Sequence, residues 1–559
     1  MGIIFTEITV LICLAAILAL FCRLLRQPPI LAYILTGILI GPFGQLQFPN
    51  IASLNIFSEL GITLLLFLLG LEFKLKGIKS VGYSSFAIGL AQVVLTFSFG
   101  FLLAVSLKFS QLSAFYIGIA LAFSSTIIIV KLLSDKKDLG SLSGKISSGI
   151  LILHNLVAVF ILMFLSIPQE SSSLFFQDAL SVLVKGAILI LAILFLNRKV
   201  LPKVMHLISG SEEILFLSIL GWVFGLCALV SSSLIGFPIE IGGFLAGIAL
   251  ADSIDNFQIV LKLKTLRDFF IIIFFILFGM NMRFQGLDKL LLPIILFSIF
   301  IVFIKPLITM VVMGVLGYRR RTSFLVGLNM AQISEFSFII VFLGSKIGHL
   351  SDSVSSLITF LGITTFILST YTISGGGGLY KLLSPYIKIF ERRKTLEEKN
   401  GLSDIDINSL NDHIILVGSH RMGKSFLKTL GAGKHKVVVI DFDPDIINDL
   451  NREKTLNVFG DIADPDVQEK AGINKANLIV STVPDIEDNL LLLQSLKQEK
   501  KKVIVVAQDV NEAKALYKAG AYYVVLPYLT GGVHLARIIK NNHLKDVEDF
   551  KTEDLALLS

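Results

Sequence analysis

Long apolar runs separated by short polar loops fill the chain up to about Ser374; beyond it the pattern changes to short β-branched runs alternating with amphipathic ones. Crossing hydrocarbon as a helix takes about 20 mostly apolar residues, fewer where the helix is short or broken. Thirteen spans are therefore expected, near 4–24, 29–43, 54–72, 84–107, 112–133, 143–167, 176–196, 213–233, 238–252, 268–282, 288–316, 321–347 and 353–374. The first run has neither a basic start nor a small-residue cleavage site, so it reads as a span and not as a removable signal. With the polar C-terminal part in the cytosol, thirteen spans put the N-terminus outside. Clusters such as Lys74–Lys76–Lys79, Lys131–Lys136–Lys137 and Arg319–Arg320–Arg321 then fall inside, while the outer loops hold only Lys108, Arg283, Lys289 and Lys346. This is the positive-inside asymmetry, and a missed span would destroy it.

The spans repeat. RQPPILAYILTGILIGP (26–42) is echoed by IGFPIEIGGFLAGIALAD (235–252), and ELGITLLLFLLGLEFKLKGI (59–78) by LRDFFIIIFFILFGMNMRFQGL (266–287). The second and third spans thus match the ninth and tenth. An offset of seven is odd, so the copies insert with opposite orientation. Inverted repeats place a substrate site near the bilayer midplane between them, which is a transporter architecture.

Composition agrees with a lipid-embedded chain. Of 559 residues, 54% are hydrophobic and 16% charged, where a soluble protein carries roughly 25% charged residues. The net charge of +7 does not indicate nucleic acid, because the basic residues of the first part sit in the loops. Cys13, Cys22 and Cys227 all fall in apolar stretches and form neither a disulfide framework nor a metal-ligand spacing. The nucleotide-binding pattern described below has no substrate domain or acid–base pair beside it, so an enzyme is not expected.

Polar residues at mid-membrane are costly, and are functional candidates unless packing explains them. The fifth span holds Ser124, Ser125 and Thr126 in succession, suited to a helix interruption or to ordinary back-bonding. Seven spans later, NMAQISEFSF supplies Gln332 and Glu335, and two interruptions at matching places would cross at the midplane. The sixth span carries His154 and Asn155. His154 suits a proton carrier or, equally, a satisfied interhelical hydrogen bond. Lys305 lies inside the eleventh span, where a buried lysine needs a carboxylate or loses its proton, and Glu335 on the neighbouring span is one candidate partner.

SELGITLLLFLLGLEF, LAFSSTIIIVKLLSDK, GGFLAGIALADS, FFIIIFFILFGMNM and AQISEFSF together resemble the monovalent cation:proton antiporters, in particular the Kef-type potassium:proton branch. The resemblance covers nearly the whole chain. It implies an α-helical polytopic membrane fold with an inverted repeat and crossed broken helices, a homodimer, potassium or sodium exchanged for protons, a cell (inner) membrane location and a possible ancillary regulatory subunit. It also implies a cation near position 155, where the family carries an Asp that binds cation and proton in turn. Here Asn155 stands instead, preceded by His154, and an amide cannot exchange a proton at neutral pH. Three readings follow: an Asp-to-Asn replacement made to hold one state, titration at His154 or Glu335 instead, or a gated uniporter or sensor.

Four glycines, Gly375–Gly378, suggest a flexible membrane exit, followed by a basic amphipathic stretch and a hydrophilic linker. The domains expected are thus 1–378 for transport, 379–411 for amphipathic helix and linker, 412–541 for a nucleotide-binding lobe and 542–559 for a tail. Within 412–541, strands and helices alternate as in a doubly wound parallel sheet. The first strand enters Gly418-Ser419-His420-Arg421-Met422-Gly423, a GxGxxG pattern with His420 at the middle glycine, and Asp441 ends the second strand. Phosphate at the helix N-terminus and ribose at Asp441 are expected. This part resembles the Rossmann-like lobe of regulator-of-potassium-conductance domains, which implies that Asp461, Ser481 and Thr482 line the same cleft, holding AMP, ATP or NAD(H). The missing middle glycine favours a mononucleotide.

Overall fold

The computed structural model describes residues 2–42, 51–72, 83–136, 138–165, most of 184–204, 211–232, 235–251, 256–283, 287–387, 410–419, 421–430, 436–462, 465–484, 486–496 and 501–540. Two compact units emerge: Met1–Ser134, Lys145–Val312 and Ser323–Leu383 form one; Asp135–Gly144, Met313–Thr322 and Ser384–Ser559 form the other.

The first unit is helical. Its helices are α1 (Gly2–Leu24), α2 (Pro29–Ile40), α3 (Ile51–Glu72), α4 (Tyr83–Ser106), α5 (Gln111–Ala122), α6 (Thr126–Asp135), α7 (Leu142–Leu165), α8 (Glu212–Val230), α9 (Ile239–Leu250) and α10 (Asn256–Met280). They continue with α11 (Leu287–Ile299), α12 (Lys305–Val315), α13 (Arg320–Asn329), α14 (Glu335–Lys346), α15 (Asp352–Ser374) and α16 (Gly376–Ile387). Among the described residues, seven helical stretches, α5–α6 and the segment from α11 to α12 each taken as one, are long and apolar enough to cross a membrane. Of the expected span at 176–196, the part before 184 lies outside the described residues, and a shorter apolar helix, Val184–Asn197, covers most of the rest.

The repeat is visible as an exchange of partners. Proline opens both short helices, Pro28 and Pro29 at α2 and Pro238 at α9, where a missing N–H costs nothing. Helix α2 packs on α10, and α9 packs on α3, so each copy's short helix lies against the other copy's long one. Both contacts are made at glycines. A Cβ at Gly37 would meet the Ile276 carbonyl oxygen at 1.9 Å, and one at Gly247 would meet that of Phe67 at 2.0 Å. Such close backbone approach is how helices associate where lipid removes the hydrophobic drive.

The expected fifth and twelfth spans are each two half-helices, α5 with α6 and α13 with α14, interrupted at 123–125 and 330–334. A π-helical turn, Phe300–Ile304, joins α11 to α12 immediately before Lys305. Two expectations need correction. The tenth span begins at Asn256, earlier than 268, because the charged run Lys262–Arg267 continues the helix beyond its apolar part. The glycines after α15 are no loose turn: Gly375 caps α15 and accepts the Leu379 amide at 3.0 Å, so the helical bond pattern resumes through them.

The second unit is a six-stranded parallel sheet in the order β3-β2-β1-β4-β5-β6: β1 (Ile414–Val417), β2 (Val437–Asp441), β3 (Asn457–Phe459), β4 (Leu478–Ser481), β5 (Lys502–Val506) and β6 (Tyr523–Val525). Its helices are α17 (Arg421–Leu430), α18 (Pro444–Arg452), α19 (Pro465–Lys470), α20 (Ile486–Ser495), α21 (Val510–Ala519) and α22 (Pro527–Lys540). Ile415, Val438, Ile479, Val503 and Val505 fill the core on one face and Leu416, Val439 and Val480 on the other. The strand order reverses between β1 and β4, and crevices at such switch points are where doubly wound sheets take ligands. The sequence-defined tail at 542–559 lies outside the described residues.

Candidate functional sites

One polar constellation lies at the two helix interruptions of the first unit. Half-helices expose orphan groups at their broken ends: carbonyls at the C-terminal ends of α5 and α13, amides at the N-terminal ends of α6 and α14. The carbonyls are met one by one. Ser337 Oγ donates to Ala120 O at 2.7 Å, Gln92 Nε2 to Ala122 O at 3.3 Å, and Ser124 Oγ to Met330 O at 3.0 Å. Lys305 Nζ donates to Phe123 O at 2.7 Å and to Gln332 O at 2.9 Å, one from each interruption. The Lys305 amine thus sits where two helix C-termini concentrate partial negative charge.

The amide ends show the converse. Glu335 opens α14, with Ser334 as its N-cap, and is buried. The Ser334 hydroxyl donates to its carboxyl at 3.4 Å, and the Ser125 hydroxyl and the backbone amides of Ile127 and Glu335 itself also face it. One carboxyl group is therefore turned to the N-termini of both α6 and α14. Lys305 and Glu335 do not pair with each other: Lys305 donates to carbonyls, and Glu335 faces amides and hydroxyls at the helix ends. A buried charge needs such full hydrogen bonding to be tolerated.

His154 and Asn155, on α7, border the first interruption. Ser124 N donates to His154 Nδ1 at 3.3 Å, so the ring proton resides on Nε2 and goes to Gln92 Oε1 at 2.6 Å. Gln92 is oriented by its own donation to Thr96 Oγ1 at 3.0 Å. The neutral imidazole therefore has both nitrogens satisfied, and a second ring proton would face the Ser124 N–H. Thr126 Oγ1 donates to Asn155 Oδ1 at 3.1 Å. Asn329 Nδ2 reaches Ser147 Oγ on α7 at 2.9 Å, and Ser369 Oγ on α15 reaches Gln332 Oε1 at 2.7 Å. Ser124, Ser125, Thr126, His154, Asn155, Lys305, Gln332 and Glu335 thus gather around the two interruptions. Gln92 was missed in the sequence; a glutamine in the middle of LAQVVLTF carried the signal.

The other constellation lies at the carboxyl ends of the strands in the second unit. Gly418 has φ +81°, and a Cβ at Gly423 would meet the Gly418 carbonyl oxygen at 1.9 Å, so both positions require glycine. Asp441 closes the turn: its carboxylate accepts Ser419 N at 2.7 Å and Asp443 N at 2.9 Å. Thr482 Oγ1 donates to Gly418 O at 2.8 Å, and Ser481 is buried at the end of β4. Arg421 and Met422 open α17, while His420 lies outside the described residues. Asp461, after β3, accepts Arg321 Nη1 at 2.9 Å, and Asp488 on α20 accepts Arg321 Nη2 at 3.4 Å. Arg321 and Asp488 were not expected here; the arginine read only as a marker of membrane topology.

Comparison with known proteins gives a family profile, sodium/hydrogen exchanger, transmembrane, matching residues 9–375, and a TrkA-N domain profile matching 414–527. A putative cation/proton antiporter, YbaL, of Escherichia coli (strain K12) is 26% identical, over 92% of this chain and 93% of that protein. The chloroplastic K(+) efflux antiporter 1 of Arabidopsis thaliana is 28% identical over 97% of this chain, which spans only 46% of the plant protein. The sodium proton antiporter MjNhaP1 of Methanocaldococcus jannaschii shares the fold of the first unit, with a TM-score of 0.53 and 18% identity over 69% of this chain and 99% of that one.

Proposed function

The chain belongs to the sodium/hydrogen exchanger family, and from that premise we propose that it is a Kef-type machine for a monovalent cation, potassium, governed by an adenine nucleotide in its TrkA-N domain. The observation that carries the reading is the pairing of interruptions: Lys305 at two C-terminal ends, Glu335 at two N-terminal ends, and Asn155 beside them. Such an arrangement holds irregular backbone at membrane depth and leaves polar oxygens, those of Asn155 and Thr126 among them, to receive an ion. Potassium leaving in exchange for entering protons is the direction suggested by relatives named for K(+) efflux. The assembly proposed is a homodimer in the cell membrane.

Coupling is the weak point of this site. Antiport needs one group for which cation and proton compete. Lys305, Glu335 and His154 are each committed to fixed partners, and Asn155 has an oxygen of fixed protonation. We propose that the chain as it stands binds the cation but exchanges it feebly for protons, and that Asn155→Asp restores exchange. Proteoliposomes with an internal pH dye and an imposed potassium gradient test this. Potassium-driven proton flux should rise at least tenfold in Asn155→Asp; equal flux in the two proteins sinks the assignment. A gated uniporter is the second reading, favoured by the same asparagine. It requires potassium to dissipate its gradient with no proton counterflow.

A further inference from the structure

The C-terminal compact unit includes a segment that its sequence position does not suggest. Met313–Thr322, which links α12 to α13 along the chain, packs with this unit. From it Arg321 reaches two carboxylates that follow different strands: Asp461 after β3 at 2.9 Å and Asp488 after β4 at 3.4 Å. The three side chains are 15%, 13% and 9% exposed, so the cluster is mostly desolvated, unlike the usual surface ion pair. Its fork spans the side of the sheet on which Asp441 and the Gly418 turn also lie.

We propose that Arg321 is a built-in competitor of the nucleotide: it occupies Asp461 and Asp488, the acceptors that a base amino group or ribose hydroxyl would use. This rests on the reading that a nucleotide binds at these strand ends. A fork between opposite charges outweighs a hydrogen bond from a neutral donor to one of the same carboxylates, so binding proceeds only when Arg321 lets go. Ligand binding and release of segment 313–322 are then one equilibrium. The apparent dissociation constant is the intrinsic one divided by the fraction of molecules in which the fork is open. Through the chain, that segment continues into α12, which begins with Lys305, and into α13, which runs to the second interruption. Nucleotide occupancy thereby has a covalent route to the transport site.

Calorimetry with AMP, ATP and NADH on the full-length protein in nanodiscs tests the competition. Arg321→Gln should tighten the nucleotide that binds by about tenfold, which corresponds to a cleft open in roughly a tenth of molecules. The double variant Arg321→Gln with Asp488→Asn restores the original net charge of the cluster and guards against misfolding. It should bind more tightly than the unaltered protein but less tightly than Arg321→Gln, because an amide oxygen is a weaker acceptor than a carboxylate, and Asp488→Asn should gain less on its own than the double variant. Unchanged or weaker binding in both Arg321 variants overturns the competition while leaving the nucleotide reading intact. Failure of all three nucleotides to bind any of the proteins overturns the nucleotide reading and the competition with it.

Discussion

At the scale of single residues, His154 illustrates how hydrogen-bond direction decides a role. Its Nδ1 takes the Ser124 amide and its Nε2 proton goes to Gln92, so it fastens α7 to the end of α5 and to α4. Removing it leaves buried partners unpaired, at about 1–3 kcal/mol each. In the Asn155→Asp background, His154→Leu should therefore lower both flux and thermal stability in detergent, with His154→Gln milder in both. The pH midpoint of flux should be the same before and after the His154→Gln change. A shifted midpoint would make the imidazole the proton carrier and remove its fastening role. The sequence identified His154, Asn155, Lys305 and Glu335 as worth attention because polar groups in apolar runs stand out locally. Their partners were not legible. Lys305 and Phe123 are far apart in the chain, and no local pattern records that carbonyls at a broken helix end can replace a carboxylate.

Elements carry a different kind of information. The paired motifs at 26–42 and 235–252 made the repeat readable, and with it the odd offset that predicts opposite insertion. Which helix packs on which was hidden, because it depends on glycine-sized gaps meeting across the repeat. Gly70 and Gly247 are such a pair: a Cβ at Gly70 would meet the Phe244 carbonyl oxygen at 2.3 Å. Gly70→Ala should force α3 and α9 apart, an overpacking cost of about 1–3 kcal/mol. Gly221→Ala on α8 is the control, since nothing lies within 4 Å of a Cβ there. Thermal unfolding in a single detergent checks the pair: Gly70→Ala should melt several degrees below Gly221→Ala, and coincident melting would show that the contact tolerates a methyl group. The half-helices were legible only as hydroxyl clusters. Their ends became definite through the caps that hold them, Ser334 and the Glu335 carboxylate among them.

At the scale of the whole molecule, the change from long apolar runs to short β-branched ones marked the soluble part, but the inclusion of 135–144 and 313–322 in the second unit had no signature beyond loop-like polarity. Each unit has its own apolar core, so two unfolding transitions are expected and a ligand of one need not stabilise the other equally. A nucleotide bound only by the folded second unit stabilises it by about 2.7 kcal/mol at roughly a hundred times its dissociation constant. Differential scanning of the protein with that concentration of AMP should therefore raise one transition by several degrees more than the other. Asp441→Ala identifies which is which. Its carboxylate holds the Ser419 and Asp443 amides and is the expected acceptor for the ribose hydroxyls; loss of that charged hydrogen bond, about 1.5–3 kcal/mol, should weaken AMP at least tenfold and shrink the shift at the same concentration by more than about 1 kcal/mol. If AMP moves neither transition, or moves both equally with and without Asp441, the strand-end cleft is not where the nucleotide acts.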